Sequence, residues 1–266
     1  MDRTRRERRL AASQRIARRI HARRFPRLLG AHLAAFLIAL PIAAQDIAFN
    51  PAITQAEFSK FSRVIAQGIF ATPVAPARSS GLLSFDIGIA ATALEVDKGA
   101  AYWQHSVPAG SDFVHGSYAA VPRLVATKGL GAMTISASYA KFSNSGVKTY
   151  GGAIDLPIIR GTVATPEIAL RGSYATVSGV DVLKLKTYGL EAFISKGFGP
   201  IMPYAAYGRM RTDSRGTITP TFSMRDRGDN KRWTLGVRLN LLLPKFSVEA
   251  TQAVQRSYAA KISVGF

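Results

Sequence analysis

Residues 232–241 read RWTLGVRLNL, and the alternation is complete. Trp233, Leu235, Val237, Leu239 and Leu241 fall on one side; Arg232, Thr234, Gly236, Arg238 and Asn240 fall on the other. Period two is the spacing of side chains along a β-strand, so the segment predicts a strand with one apolar and one polar face. The pattern recurs from residue 81 to the end. It predicts ten strands, over about 81–96, 118–128, 130–142, 147–159, 162–176, 182–196, 201–212, 231–242, 245–255 and 257–266. Helical periodicity is almost absent there.

Two folds share this alternation. A water-soluble sandwich turns its apolar face inward. A membrane barrel turns it outward to lipid and keeps a polar lumen. Connection lengths separate the two. The turns KGLG, IRG, KGFGP and LLPK are tight, while about 97–117, 143–146, 177–181 and 213–230 are loops of the opposite rim. Short turns at one rim and longer loops at the other mark membrane barrels. The predicted strands run ten residues or more, beyond the soluble mode of about 5–6 and enough for a tilted bilayer crossing, which takes about 9–11. Tyr102, Trp103, Tyr118, Phe142, Tyr150, Phe198, Tyr204, Trp233 and Phe246 lie near strand ends, as interfacial girdles do. Backbone in lipid must satisfy its own polar groups, which requires the sheet to close. The expected fold is all-β: a closed antiparallel transmembrane β-barrel of about ten strands, with eight or twelve as alternatives, preceded by a short N-terminal amphipathic helix.

The N-terminal 44 residues differ. They hold eleven Arg with only Asp2 and Glu7 as acids, then LLGAHLAAFLIALPIAA. A basic stretch, an apolar core and small residues describe a secretory signal, with cleavage after Ala44. The competing reading is a basic nucleic-acid arm, but no later segment resembles a nucleic-acid module. Residues 45–80 predict one helix and a tether. Asn50 with Pro51, or Thr54 with Glu57, starts the helix; Phe58, Phe61, Ile65 and Ile69 form its apolar stripe, with Lys60, Arg63 and Gln67 off it. The helix either packs on a domain face or closes and plugs one barrel end. ATPVAPARSS breaks it and reads as a short linker.

The chain carries 35 Lys and Arg against 16 Asp and Glu, a net +19. That balance suits an anionic solute or an acidic membrane surface. With no Cys there is no disulfide, thiol nucleophile or Cys-ligated metal. The polar strand faces place Glu167, Arg171, Glu191, Arg209, Arg211, Arg232, Arg238, Glu249 and Lys261 in the lumen. They form either a cationic pore or an ion-pair network filling a narrow barrel. The loop around His105 and His115, with Ser106, Ser111, Asp112 and Ser117, holds the residue types of a hydrolase but no fixed spacing. No metal site or cofactor is expected: HExxH, phosphate-binding Gly loops and dinucleotide fingerprints are missing.

The chain ends SYAAKISVGF, still alternating, with Tyr258, Ile262, Val264 and Phe266 on one face. In a closed barrel the last strand pairs with the first, so this end is structural. The segment resembles the C-terminal Phe signature of bacterial outer-membrane barrels. Together with SFDIGIA (Ser84–Ala90), VPRLVATKGLG (Val121–Gly131) and YGLEAFISKGFGPIMPYAAYG (Tyr188–Gly208), it makes 81–266 similar to uncharacterised outer-membrane β-barrel proteins. The resemblance implies recognition of Tyr258, Ile262, Val264 and Phe266 by the barrel-assembly machinery, and residence in a Gram-negative outer membrane after export. No catalytic residue comes with it. The expected function is a passive channel or small-solute transporter with a cationic, partly filled lumen. A structural or surface-interaction barrel without throughput is the alternative, and a lipid- or peptide-hydrolysing enzyme a second. Outer-membrane lipid and a small anionic solute are the expected partners, and nucleic acid is not.

Overall fold

The computed structural model describes residues 47–78, 80–108, 114–141 and 146–266, without the side chain of His115; the leader assigned to 1–44 lies outside these. Helix α1 (Gln55–Ile69) starts at the second of the two expected positions. Thr54 is the N-cap: its hydroxyl accepts from Glu57 N at 3.3 Å, and the Glu57 carboxylate accepts from Thr54 N at 2.8 Å. Two orphan donors are thereby satisfied reciprocally. Asn50 instead closes the preceding turn, its side chain accepting from Ala52 N at 2.9 Å. The expected stripe of Phe58, Phe61, Ile65 and Ile69 is buried, but so are Val64, Ala66, Gln67 and Gly68. The C-terminal half of α1 is enclosed on every side, which a helix lying on a domain face cannot be.

Eleven strands follow: β1 (Phe85–Glu95), β2 (Val114–His115), β3 (Tyr118–Gly129), β4 (Thr134–Lys141), β5 (Lys148–Ile159), β6 (Glu167–Ser178), β7 (Leu183–Ser195), β8 (Ile201–Thr219), β9 (Phe222–Asn240), β10 (Pro244–Gln252) and β11 (Arg256–Gly265). A short helix α2 (Ala101–Gln104) lies between β1 and β2. From β3 to β11 each strand pairs antiparallel with the next, and β1 pairs with both β3 and β11. The sheet is therefore a closed ring of ten strands; β2 only pairs with the first two residues of β3 at the rim. Closure is tied off at the terminus, where Phe85 N donates to Phe266 O at 3.0 Å and Phe266 N to Phe85 O at 3.1 Å.

Both ends of the ring, Phe85 and Phe266, share a rim with the turns β3–β4, β5–β6, β7–β8 and β9–β10. This is the short-turn rim. The other rim is named the long-loop rim for the one long connection, 96–117; its β6–β7, β8–β9 and β10–β11 turns are as tight as those opposite. Residues 213–230, expected as a loop, are strand: β8 and β9 each run 19 residues and turn only at 219–222. The alternation persists there, with Ser214, Gly216, Met224 and Asp226 inward and Arg215, Arg225 and Arg227 outward. Its polarity is too mixed to show as greasy against wet.

The segment expected as a tether does something else. The described chain begins beside the long loop, where Asn50 N donates to His105 O at 2.8 Å. After α1 it is buried from Phe70 to Ala77 and emerges at the other rim, where Gly131 N donates to Ser80 O at 3.2 Å. Residues 70–78 thus run down the barrel interior. Proline-rich composition suited this path because Pro lacks an N–H that a dry lumen would have to satisfy.

Candidate functional site

The wall and the lumen have opposite chemistry. Facing outward are Ile87, Ile89, Leu124, Ile135, Ile154, Leu156, Leu190, Ile194, Leu235, Val237, Ile262 and Val264, with Leu190 63% and Leu235 67% exposed. Tyr258 and Phe266 share this outer face, Phe266 packing edge-on to Phe85 at 4.5 Å. Nearer the long-loop rim, aromatic pairs ring the wall: Tyr118 with Tyr258, Tyr139 with Tyr150, Tyr174 with Tyr188, and Tyr207 with Trp233 at 4.1 Å between ring centres. An apolar surface encircling the whole molecule exceeds what water-soluble monomers expose. It is the distribution of a transmembrane barrel.

Inward stand seven of the nine residues expected to line the lumen: Glu167, Arg171, Glu191, Arg232, Arg238, Glu249 and Lys261. Arg209 and Arg211 do not. They are exposed on the outer wall. Pairing register decides this: inward Glu191 lies opposite Gly208 and outward Leu190 opposite Arg209, so the odd positions of β8 face out. The sequence reading assigned the apolar residues of this strand to the wall. Tyr204, Ala206 and Met210 are instead buried inside.

The luminal charges are joined to each other and to the threaded segment. Arg171, fully buried, donates to both carboxylate oxygens of Asp155 at 2.6 and 2.8 Å and to Ala75 O at 3.1 Å, and it stacks over the Phe193 ring. Arg123 donates to Phe70 O at 3.1 Å and to the Thr92 hydroxyl at 2.8 Å. Arg232 lies 3.3 Å from Glu191 and over the ring of Phe70. Glu249 accepts from Tyr204 at 2.9 Å and from Thr72 at 3.2 Å. Asp86 gathers Arg238, Lys261 and Ser263 at 2.8, 2.8 and 3.0 Å, with Lys245 at 3.7 Å. Buried charges persist when paired and hydrogen-bonded in this way. Asp86, Arg123 and Asp155 were missing from the expected lumen. Parity along their strands was the available signal for the two aspartates, and Pro122 obscured it for Arg123.

Shape matches the charge pattern. A Cβ on Gly189 would overlap Phe70, and one on Gly216 would overlap Phe58, so these strand glycines are sockets for the segment and for α1 in turn. Val74 takes φ 49°, a left-handed conformation that costs a β-branched residue on the order of 1–3 kcal/mol. Its burial against Ala90 and Val125, and its N–H donated to Thr72 at 3.1 Å, hold it there.

Above the segment, α1 caps the lumen within an apolar cluster of Phe49, Phe58, Phe61, Leu94, Trp103, Leu183, Leu185 and Met210. Arg63 clamps Asp226 through two hydrogen bonds of 2.9 and 2.8 Å. His105 lies 3.0 Å from Glu57 as part of this cap, and Ser106 is buried beside it. Ser111 and Asp112 lie outside the described residues. The Glu57 carboxyl is held below its ordinary range, first by the Thr54 N–H and then by His105. Below the segment the lumen opens at the short-turn rim into a vestibule of about 300 Å³. Arg78, Asp86, Asp155, Arg238 and Lys245 line it. Among the described residues no cluster suits a metal ion.

Neither a protein-family model nor a curated protein matches the chain. Among solved structures, the N-terminal β-barrel domain of Pseudomonas aeruginosa OprF aligns over 68% of this chain and 96% of that one, at 14% identity and a TM-score of 0.34. Ail, the attachment invasion locus protein of Yersinia pestis, aligns over 69% and 97%, at 11% identity and a TM-score of 0.32. Neisserial surface protein A aligns over 68% and 94%, at 7% identity and a TM-score of 0.27. At these scores the likeness transfers no activity or residue role.

Proposed function

We propose that this chain is an integral outer-membrane β-barrel closed by its own N-terminal segment, a self-plugged barrel rather than a free-running pore. The observation that carries this is the capture of the threaded backbone: Phe70 O by Arg123, Ala75 O by Arg171 and Arg78 O by Thr134. Membrane barrels keep short turns on the periplasmic side and longer loops outside. The short-turn rim is then periplasmic, α1 and the start of the described chain lie at the cell surface, and the outward Tyr258, Ile262, Val264 and Phe266 are the face read during assembly. The barrel's role on this reading is to anchor and present that capped surface.

A second reading is a transporter whose plug moves. The vestibule favours it, since Arg78, Arg238 and Lys245 line a space fit for a small anion. One experiment separates the two. The chain has no Cys, so Val74→Cys with Val125→Cys introduces one pair, between plug and wall residues that pack together. Planar-bilayer recordings of the refolded parent and of this variant, oxidised and reduced, are compared in chloride and in organic-anion salts. The closed-anchor reading expects no current in any state. Current in the parent, and in the variant a current that oxidation abolishes and reduction restores, would replace it with the transporter.

A further inference from the structure

The outer wall carries a feature that the plugged lumen does not use. Past the aromatic pairs, β7, β8 and β9 rise beyond the apolar band, and their outward side chains become charged. Lys184 and Lys186 lie on β7, Arg209, Arg211, Asp213 and Arg215 on β8, and Arg225, Arg227, Asp229 and Lys231 on β9. Register sets them side by side: Lys184 opposite Arg215, Lys186 opposite Asp213, Arg209 opposite Lys231, and Arg215 opposite Arg225.

Eight cations share this face with two carboxylates, and both carboxylates are engaged. Asp229 holds Arg209 at 3.2 Å; Asp213 holds Arg227 at 3.2 Å and Arg225 at 3.5 Å. Lys184, Lys186, Arg211, Arg215 and Lys231 pair with no carboxylate among the described residues. Like charges directly opposite on neighbouring strands repel. Register also sets Arg211 opposite Asp229 and Asp213 opposite Arg227, so attraction and repulsion alternate along the hairpin and the excess positive charge of this lattice is left for a partner.

Its position says what relieves it. Arg211 is the cross-strand neighbour of Tyr188, Arg209 follows Tyr207 by two residues on the same face, and Lys231 precedes Trp233 likewise. Tyr and Trp mark the headgroup level of a bilayer, so these cations stand at that level and just above it. Directly below lie Leu190, Leu235 and Val237, all exposed. We propose that this wall of β7–β9 binds a lipid of the outer leaflet bearing two phosphates, its acyl chains against the apolar band. Strand spacing of about 4.8 Å and a same-face step of about 7 Å put two or three cations within reach of one phosphate. Five unpaired cations exceed what one phosphate neutralises. The proposal rests on the outer-membrane reading above.

The test uses the refolded full chain in neutral-detergent micelles, and titrates a bis-phosphorylated glycolipid, its monophosphorylated form, a neutral glycolipid and inorganic pyrophosphate. The parent binds the bis-phosphorylated lipid most tightly, and binding weakens with salt. Lys186→Ser, Arg211→Ser and Lys231→Ser together weaken it on the order of a hundredfold, while Lys141→Ser, exposed on β4, leaves it unchanged. Equal binding by parent and triple variant, or equal binding of the neutral lipid, overturns the proposal. Pyrophosphate competing as strongly as the lipid assigns the lattice to free phosphate and overturns it too. Heat-modifiable gel migration keeps the two readings apart: its loss in the parent sinks the barrel itself, whereas its retention in a parent that does not distinguish the lipids sinks only this inference.

Discussion

One face of β9 reads, from the short-turn rim upward, Leu239, Val237, Leu235, Trp233, Lys231, Asp229, Arg227, Arg225. The opposite face reads Arg238, Thr234, Arg232, then Asp226 and Met224. The pleat never changes, but polarity changes at Trp233. Below it the strand is apolar outside and ionic inside. Above it the wall is ionic, and an apolar cluster with α1 fills the interior. The difference teaches that a face's polarity reports the solvent it meets at that height, not which way it points. It also explains the two forms of packing. The lower interior is enclosed and ionic, so its buried charges need partners; the upper interior behaves as the core of an ordinary water-soluble domain.

The strongest way to break this comparison is to leave a charge alone in the lower interior. Arg171→Ala strands Asp155 and frees Ala75 O, and is expected to cost about 3–5 kcal/mol. Urea titration of the refolded barrel reads this as a lowered midpoint, and an unchanged midpoint would show the lumen to be wet. Next comes the wall. Leu235→Arg, below the girdle, is expected to lose about 2–4 kcal/mol of barrel stability in vesicles. Arg227→Leu, on the same face above it, stays within about 0.5 kcal/mol. Equal losses at the two sites would abolish the boundary at Trp233.

The cap gives smaller effects. Gln67 donates to Gln255 O at 2.8 Å and Ser257 Oγ at 3.1 Å, and accepts from Gln255 N at 2.9 Å. Gln67→Ala should cost about 1–3 kcal/mol, seen as faster proteolytic nicking of 252–256 with the lower barrel intact. The least effect is on pH. Glu57 has its carboxyl depressed by the Thr54 N–H and His105. Its capping contribution is complete above the ordinary carboxylate range and is lost as pH falls through the lowered folded value. Protease release of the cap should therefore rise only in that acid range, and Glu57→Gln should flatten the profile.

Much of the lower barrel was legible because one solvent acts along its whole length there. Alternation in β1, β4, β6, β7, β9 and β11 assigned both faces, and the long 97–117 connection marked one rim; the expected loops at 177–181 and 213–230 close in tight turns. Reading failed on β8, where Tyr204, Ala206 and Met210 are inside and Arg209 and Arg211 outside. Above Tyr207 that strand crosses from one solvent to another, and a rule equating apolar with the wall inverts it; below, Tyr204 and Ala206 are inside because they pack with Phe193 and with Ala77 of the threaded segment. Gln67 was likewise read as off the helix's buried stripe, since a stripe assumes one covered side. The tether was misread for a related reason. ATPVAPARSS has the composition of a linker, and what buries it is ten strands far away in sequence.

The sequence by itself determined an all-β chain: period two fixes alternating faces, and strand lengths fix a crossing. Tertiary structure alone decided what fills the ring and where the charged face changes meaning. Those depend on which strand lies opposite which, as Glu191 opposite Gly208 settles for Arg209, and on the 70–78 carbonyls meeting arginines from separate strands. Local pattern carries parity and length. It does not carry the height at which a residue meets its solvent or the partner that closure brings to it.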